Sequence, residues 1–209
     1  MIDVKHEISA VSRTVGSRTL EAGTARVVTI RRTYDAPLED VWDACTSADR
    51  LPRWFLPVTG DLVEGGRYQF EGNAGGTVTG CDKPNGFTAT WEYGGEVSWI
   101  EVRFTAEGDE RTEFRLEHIA HVEDERWTQF GPGAVGVGWD LGLMGLGMHL
   151  ASGEPVDRAS AGEWSESDEG KEFSRLSSEA WYEASVASGT PEPEARAAAD
   201  RTTAFYTGA

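Results

Sequence analysis

Apart from its carboxylates, this 209-residue chain has few groups that could do chemistry: four histidines, two cysteines, and no nucleophile elbow, Cys/His pairing or P-loop. His118 and His121 lie three apart in a segment of period two, so they point to opposite faces of a strand and cannot chelate one metal ion. Cys45 and Cys81 stand in no paired ligand spacing. Gly131-x-Gly133-x-x-Gly136 matches the dinucleotide fingerprint letter for letter and opens a helix. Its preceding strand is antiparallel, however, no βαβ unit follows, and no acidic residue closes a second parallel strand about 20 residues on. A glycine-rich turn and helix cap fits better. No cofactor, no metal and no catalytic residue is assigned.

Thirty-six acidic residues against nineteen basic ones leave a net charge of −17, densest at Glu163–Glu172. Such a field repels phosphate backbones and anionic lipid, which sets aside nucleic acid and membrane surfaces as partners, although solubility alone also accounts for it. Glu92, Glu101, Glu113 and Glu117 fall on the outer faces of their strands, where water solvates them; acid–base catalysis would require one to be buried. Asp140 lies away from the Trp139 face of its helix, in water or against the segment that follows. The N-terminus lacks a basic region followed by an apolar run, and no apolar stretch approaches the ~20 residues of a membrane span, since residues 133–151 are broken by Asp140 and many glycines. The expectation is a reduced, cytoplasmic protein.

Those groups must be positioned by a strand, two short helices, a set of strands and a helical tail. Arg13–Leu20 reads as a strand turning at Glu21-Ala22-Gly23 into Val27–Tyr34. Pro37 opens a helix whose Leu38, Val41, Trp42 and Cys45 share one face, and Leu51, Trp54 and Phe55 repeat that face at shorter length. Alternation follows: Tyr68 and Phe70; Phe87, Ala89, Trp91 and Tyr93; Ile100, Val102 and Phe104; Phe114, Leu116 and His118. Turn signals at Glu64-Gly65-Gly66, Asn73 to Gly76, Pro84-Asn85-Gly86, Gly94-Gly95 and Glu107-Gly108-Asp109 separate them, giving an antiparallel meander with one buried face.

From Ala134 to about Ala151 the period is helical. Val135, Trp139, Leu143, Leu146 and Leu150 gather on one side, flanked by Gly138, Gly142, Gly145 and His149. Val137, Leu141, Met144 and Met148 form a second apolar stripe that a single sheet would leave wet. The cover is expected from the rest of the chain. Ser165 or Ser167 caps a helix to about Ser188, with Phe173, Leu176, Ala180 and Ala184 on one face and Trp181 beside it, and a last helix opens at Thr190-Pro191-Glu192 and reaches Phe205 and Tyr206. Homodimerisation through the same stripe is the competing cover.

Residues 34–44, with Leu51-Pro52-Arg53-Trp54-Phe55 after them, resemble the opening signature of the SRPBCC or START-like helix-grip superfamily, and most closely its branch named after the activator of the Hsp90 ATPase. Gly65-Gly66-Arg67-Tyr68, Thr90-Trp91-Glu92 and Gly138-Trp139-Asp140 are similar to further motifs of that family, in its order, over about Val27–Ser152. The resemblance implies an α+β fold in which an antiparallel sheet wraps a long C-terminal helix, often around an apolar cavity. It divides the chain into an N-terminal arm (1–26), the helix-grip domain (27–152) and a helical extension packed on it (153–209). In such a cavity Tyr68, Phe70, Trp91, Phe104 and Phe114 would line the sheet side, Trp139 and Leu143 the helix side, with His118, His149 or the Tyr68 hydroxyl orienting a small apolar molecule. The glycines of the long helix either make room for that ligand or let neighbours approach closely. A cyclase- or dehydratase-type enzyme on the same pocket, and a protein-interaction module, are the rival functions, because this scaffold hosts many.

Overall fold

Alternation and capping signals are followed closely through the middle of the chain. The computed structural model describes residues 2–21, 23–121 and 125–208. Its elements are α1 (Val4–Ser9), β1 (Val11–Leu20), β2 (Gly23–Tyr34), α2 (Leu38–Thr46), a 3-10 turn (Leu51–Arg53), β3 (Val58–Gly60), β4 (Arg67–Phe70), β5 (Gly75–Asp82), β6 (Gly86–Tyr93), β7 (Glu96–Ala106), β8 (Thr112–His121), α3 (Glu125–Phe130), α4 (Gly133–Ser152), α5 (Arg158–Glu166), α6 (Asp168–Ala187) and α7 (Glu192–Thr207). Ala22, in the expected turn between β1 and β2, lies outside the described residues. The strands hydrogen-bond in the order β1-β2-β8-β7-β6-β5-β4-β3, an open sheet with β1 and β3 at its edges. By contacts the chain forms a helix-rich unit (Met1–Ile30, His121–Leu141, Asp157–Ala209) and a sheet unit (Arg31–Ala120, Gly142–Val156); β2 and α4 each run from one into the other.

In the sheet unit Tyr68, Phe70, Ile100, Val102, Phe104, Phe114, Leu116 and His118 are all buried, as period two requires. Trp42 of α2 sets its ring edge-on to Phe104, with centroids 5.7 Å apart, which docks that helix on the sheet. Strand β5 was not expected, because Gly75-Gly76 reads as a turn. Here the glycine is a strand residue: Tyr68 pairs with Gly76, and a Cβ on Gly76 would fall 2.1 Å from the Thr90 carbonyl oxygen. Glu117, expected in water, is buried with Arg115 as its ion partner, since its face of β8, shared with the buried Ile119, is covered rather than solvated.

Helix α4 is apolar nearly all the way round, and its burial follows neither expected stripe. Val137, Leu143, Met144 and Leu146 are buried, Val135, Trp139, Leu141 and Leu150 are half-buried, and Met148 stays 41% exposed. Its glycines serve close packing. A Cβ on Gly136 would lie 2.3 Å from the Trp181 ring in the helix-rich unit, and one on Gly145 2.7 Å from the Trp54 carbonyl oxygen in the sheet unit.

Ser167 caps α6, its hydroxyl oxygen accepting from the Gly170 N–H. Phe173, Trp181 and Ala184 are buried as the periodicity predicts, but the rest of that stripe is Ser174, Ser177, Ser178 and Ser185 rather than Leu176 and Ala180. Ser174 and Ser178 donate to the carbonyls of Gly170 and Ser174, which satisfies their hydroxyls inside the helix. Among the described residues no helix is long and apolar enough to cross a membrane.

Candidate functional site

Three strands of the sheet unit build one aromatic wall. Tyr68 and Phe70 of β4 touch with ring centroids 5.4 Å apart, Phe70 meets Trp91 of β6 at 5.8 Å, and Trp91 meets His118 of β8 at 6.3 Å. Phe55, from the segment after the 3-10 turn, closes on Phe70 at 5.0 Å. A second group adjoins β7 and β8, where Phe104 and Phe114 face each other in register with centroids 5.6 Å apart and Trp42 and Phe87 flank Phe104. Phe104 and Phe114 are sealed, while Trp91 and Ser98, paired near the β6–β7 turn, are only half-buried, so the wall thins toward that turn.

The polar groups in this wall are bonded to it. Ser98 stands opposite Trp91 across β6 and β7; its hydroxyl donates to the Trp91 carbonyl at 3.0 Å and lies 2.8 Å from His118 Nε2. A hydroxyl has one proton, and the carbonyl can only accept, so His118 carries its hydrogen on Nε2 and donates it to Ser98. Burial pushes the His118 imidazole down to about 4, which keeps it neutral. The Tyr68 hydroxyl donates to the Thr90 carbonyl at 2.6 Å. Burial first, and the Glu92 carboxylate second, push that phenol far above its ordinary range, so it keeps the proton it donates. Ser98 was missed from the sequence: its only signal is the register that sets it against Trp91.

The other expected residues serve different ends. His149 is buried and uses both ring nitrogens within the protein: Nδ1–H donates to the Glu154 carbonyl at 2.9 Å, and Nε2 accepts from Arg50 at 3.1 and 3.3 Å. Arg50 in turn pairs with Asp40 and Asp43 of α2, so His149 clamps the end of α4 to α2. Leu143 is buried, and its carbonyl accepts from the Tyr34 hydroxyl at 2.9 Å. Trp139 belongs to the helix-rich unit.

That unit holds an ion pair which the sequence did not suggest. Asp140 is 1% exposed, at the extension as one reading allowed, but dry. Arg13 of β1 grips its carboxylate with Nε and Nη2 at 2.9–3.1 Å, Ser177 Oγ donates to Oδ2 at 2.5 Å and Trp181 Nε1 donates to it at 3.0 Å. Arg13 Nη1 donates to the carbonyls of Ile8 and Val11. Burial pushes the Asp140 carboxyl up, and Arg13, Ser177 and Trp181, all donors to it, pull it back toward the ionised form. A void of about 10 Å³ near Trp181, Tyr182 and Thr202 has room for one water. Among the described residues no group of three His, Cys, Asp or Glu side chains could hold a metal.

An open antiparallel sheet, the two short helical turns after β2 and a long helix near the C-terminus define a helix-grip protein of the α+β class. The chain belongs to the family of Activator of Hsp90 ATPase homolog 1-like proteins, whose sequence model matches residues 35–151. It is similar to CalU16 from Micromonospora echinospora: to the solution structure at 38% identity and a TM-score of 0.70, over 87% of this chain and 97% of that one, and to the crystal structure at 36% and 0.67, over 87% and 99%. An Hsp90 activator from Plasmodium falciparum shares the fold at 22% identity and a TM-score of 0.52, over 62% of this chain and 97% of that one. The comparison with curated proteins gives no match.

Proposed function

We propose that this protein binds a small, mainly apolar molecule against the aromatic wall of its sheet unit. The observation that carries the reading is the Ser98–His118 hydrogen bond, set among Tyr68, Phe70 and Trp91. A core of this size packs well with apolar residues alone, and a buried imidazole and hydroxyl cost desolvation that an apolar pair would not. Few polar groups within an aromatic surface are the usual make-up of a site that orients a ligand. Trp91 and Ser98 form the half-buried side, and the molecule enters there; Phe104, Phe114 and Leu143 supply the apolar depth. His149, with both nitrogens engaged, holds α4 in place rather than contacting the ligand. Nucleic acid and lipid surfaces are not partners in this reading, given the net charge of −17.

Native mass spectrometry of the purified protein, combined with equilibrium dialysis against naphthalene-sized aromatic probes, tests it. A retained small molecule, or probe binding lost in Trp91→Ala while the variant melts cooperatively, is the expected result. Absence of both a retained molecule and probe binding overturns the proposal.

A further inference from the structure

The two hydroxyls and the imidazole of the wall have no proton left to give. Tyr68 Oη–H is committed to the Thr90 carbonyl, Ser98 Oγ–H to the Trp91 carbonyl, and His118 Nε2–H to Ser98 Oγ. A hydroxyl that has donated its proton still holds acceptor lone pairs: Tyr68 Oη keeps them, and Ser98 Oγ keeps one after accepting from His118. Both oxygens border the Phe70–Trp91 ring contact, Tyr68 through Phe70 and Ser98 as the cross-strand partner of Trp91. The backbone carbonyls that take these protons belong to strand β6, so the hydroxyls cannot be turned outward without breaking a bond to the sheet.

Resting on the ligand-binding reading above, we infer that the site selects molecules that bring hydrogen-bond donors on a flat apolar frame, phenols above all, and rejects ketones and ethers of the same shape. A phenolic hydroxyl donates to Tyr68 Oη or Ser98 Oγ. A carbonyl placed there meets only lone pairs and loses its water without replacement. The selectivity is therefore set by strand register, through which side-chain protons are spent on the sheet, rather than by a charged group.

The test uses the full chain and three matched probes, 2-naphthol, 2-methoxynaphthalene and 2-tetralone, measured by calorimetry or equilibrium dialysis near neutral pH. The naphthol should bind about tenfold more tightly than either analogue, the worth of roughly one net hydrogen bond. In Tyr68→Phe/Ser98→Ala, which removes both acceptor oxygens and frees the His118 Nε2–H for an incoming carbonyl, the naphthol's advantage over the ketone should fall to one or below; each single variant, checked for cooperative melting, should lower it part of the way. Equal binding of the three probes, or tighter binding of the ketone, overturns the donor rule and leaves the ligand-binding reading standing. Failure of all three to bind overturns both.

Discussion

Replacing Asp140 by Asn keeps the side chain's shape and removes its charge, which isolates the electrostatics of the buried node. The carboxylate meets donors on both oxygens: Arg13 Nε and Nη2 at Oδ1, and Arg13 Nε, Ser177 Oγ and Trp181 Nε1 at Oδ2. Whichever way the amide turns, its NH2 faces either the guanidinium or the indole N–H, and neither can accept. Arg13, whose side chain is 5% exposed, is left as a buried cation without a counter-ion. Removing one partner of such a pair costs about 3–5 kcal/mol. At about 2–4 °C per kcal/mol for a chain of this size, the melting temperature should fall by roughly 6–20 °C. Thermal unfolding followed by circular dichroism measures it. The two residues act as one unit, so Arg13→Met/Asp140→Leu should be more stable than Asp140→Asn despite carrying two changes. A melting temperature for Asp140→Asn within 2–3 °C of the parent, again at about 2–4 °C per kcal/mol, would refute the claim that this pair is dry and mutually required.

Two alanine substitutions in helices should have opposite signs: Gly136→Ala drives a Cβ into the Trp181 ring and should destabilise by about 1–3 kcal/mol, whereas Gly162→Ala on exposed α5 meets nothing within 4 Å and should stabilise by about 0.4–1 kcal/mol, both read by denaturant titration. His118 sits at about 4 in the fold against roughly 6.5 unfolded, so the unfolded chain binds the extra proton between those values and stability should decline as pH falls from about 6.5 to about 4. His118→Gln should remove on the order of 3 kcal/mol of that decline, and an unchanged pH profile in the variant would contradict the burial argument. Ending the chain after Ser160 removes Ser177 and Trp181 from Asp140 and Trp181 from Gly136, so the fragment should aggregate or lose cooperative melting; a soluble fragment with the parent's melting temperature would show that α6 and α7 are dispensable.

The half-buried meander and the capped C-terminal helices could be read from the chain because their signals are local. Period two at Tyr68–Phe70 and Ile100–Phe104, Pro37 ahead of α2 and Ser167 ahead of α6 each act within a few residues. Strand β5 was hidden, since glycine carries no pattern and its place depends on Thr90 from the neighbouring strand. Of the residues expected to line a cavity, alternation places Tyr68, Phe70, Trp91 and His118 on one sheet face, where ring contacts join them, whereas Ser98 stands beside them only through register.

Most inward strand positions, the helix starts and the family resemblance are thus local properties of the chain, with Glu117 and Tyr93 as exceptions. Only tertiary structure decided the fate of α4, because a helix apolar all round has no preferred face until its neighbours choose one. Arg13 and Asp140 meet across 127 residues, and Arg50 and His149 across 99. No periodicity spans such distances: a buried charge or imidazole is tolerable only where a distant partner of the right polarity arrives, and that arrival is a property of the packed chain.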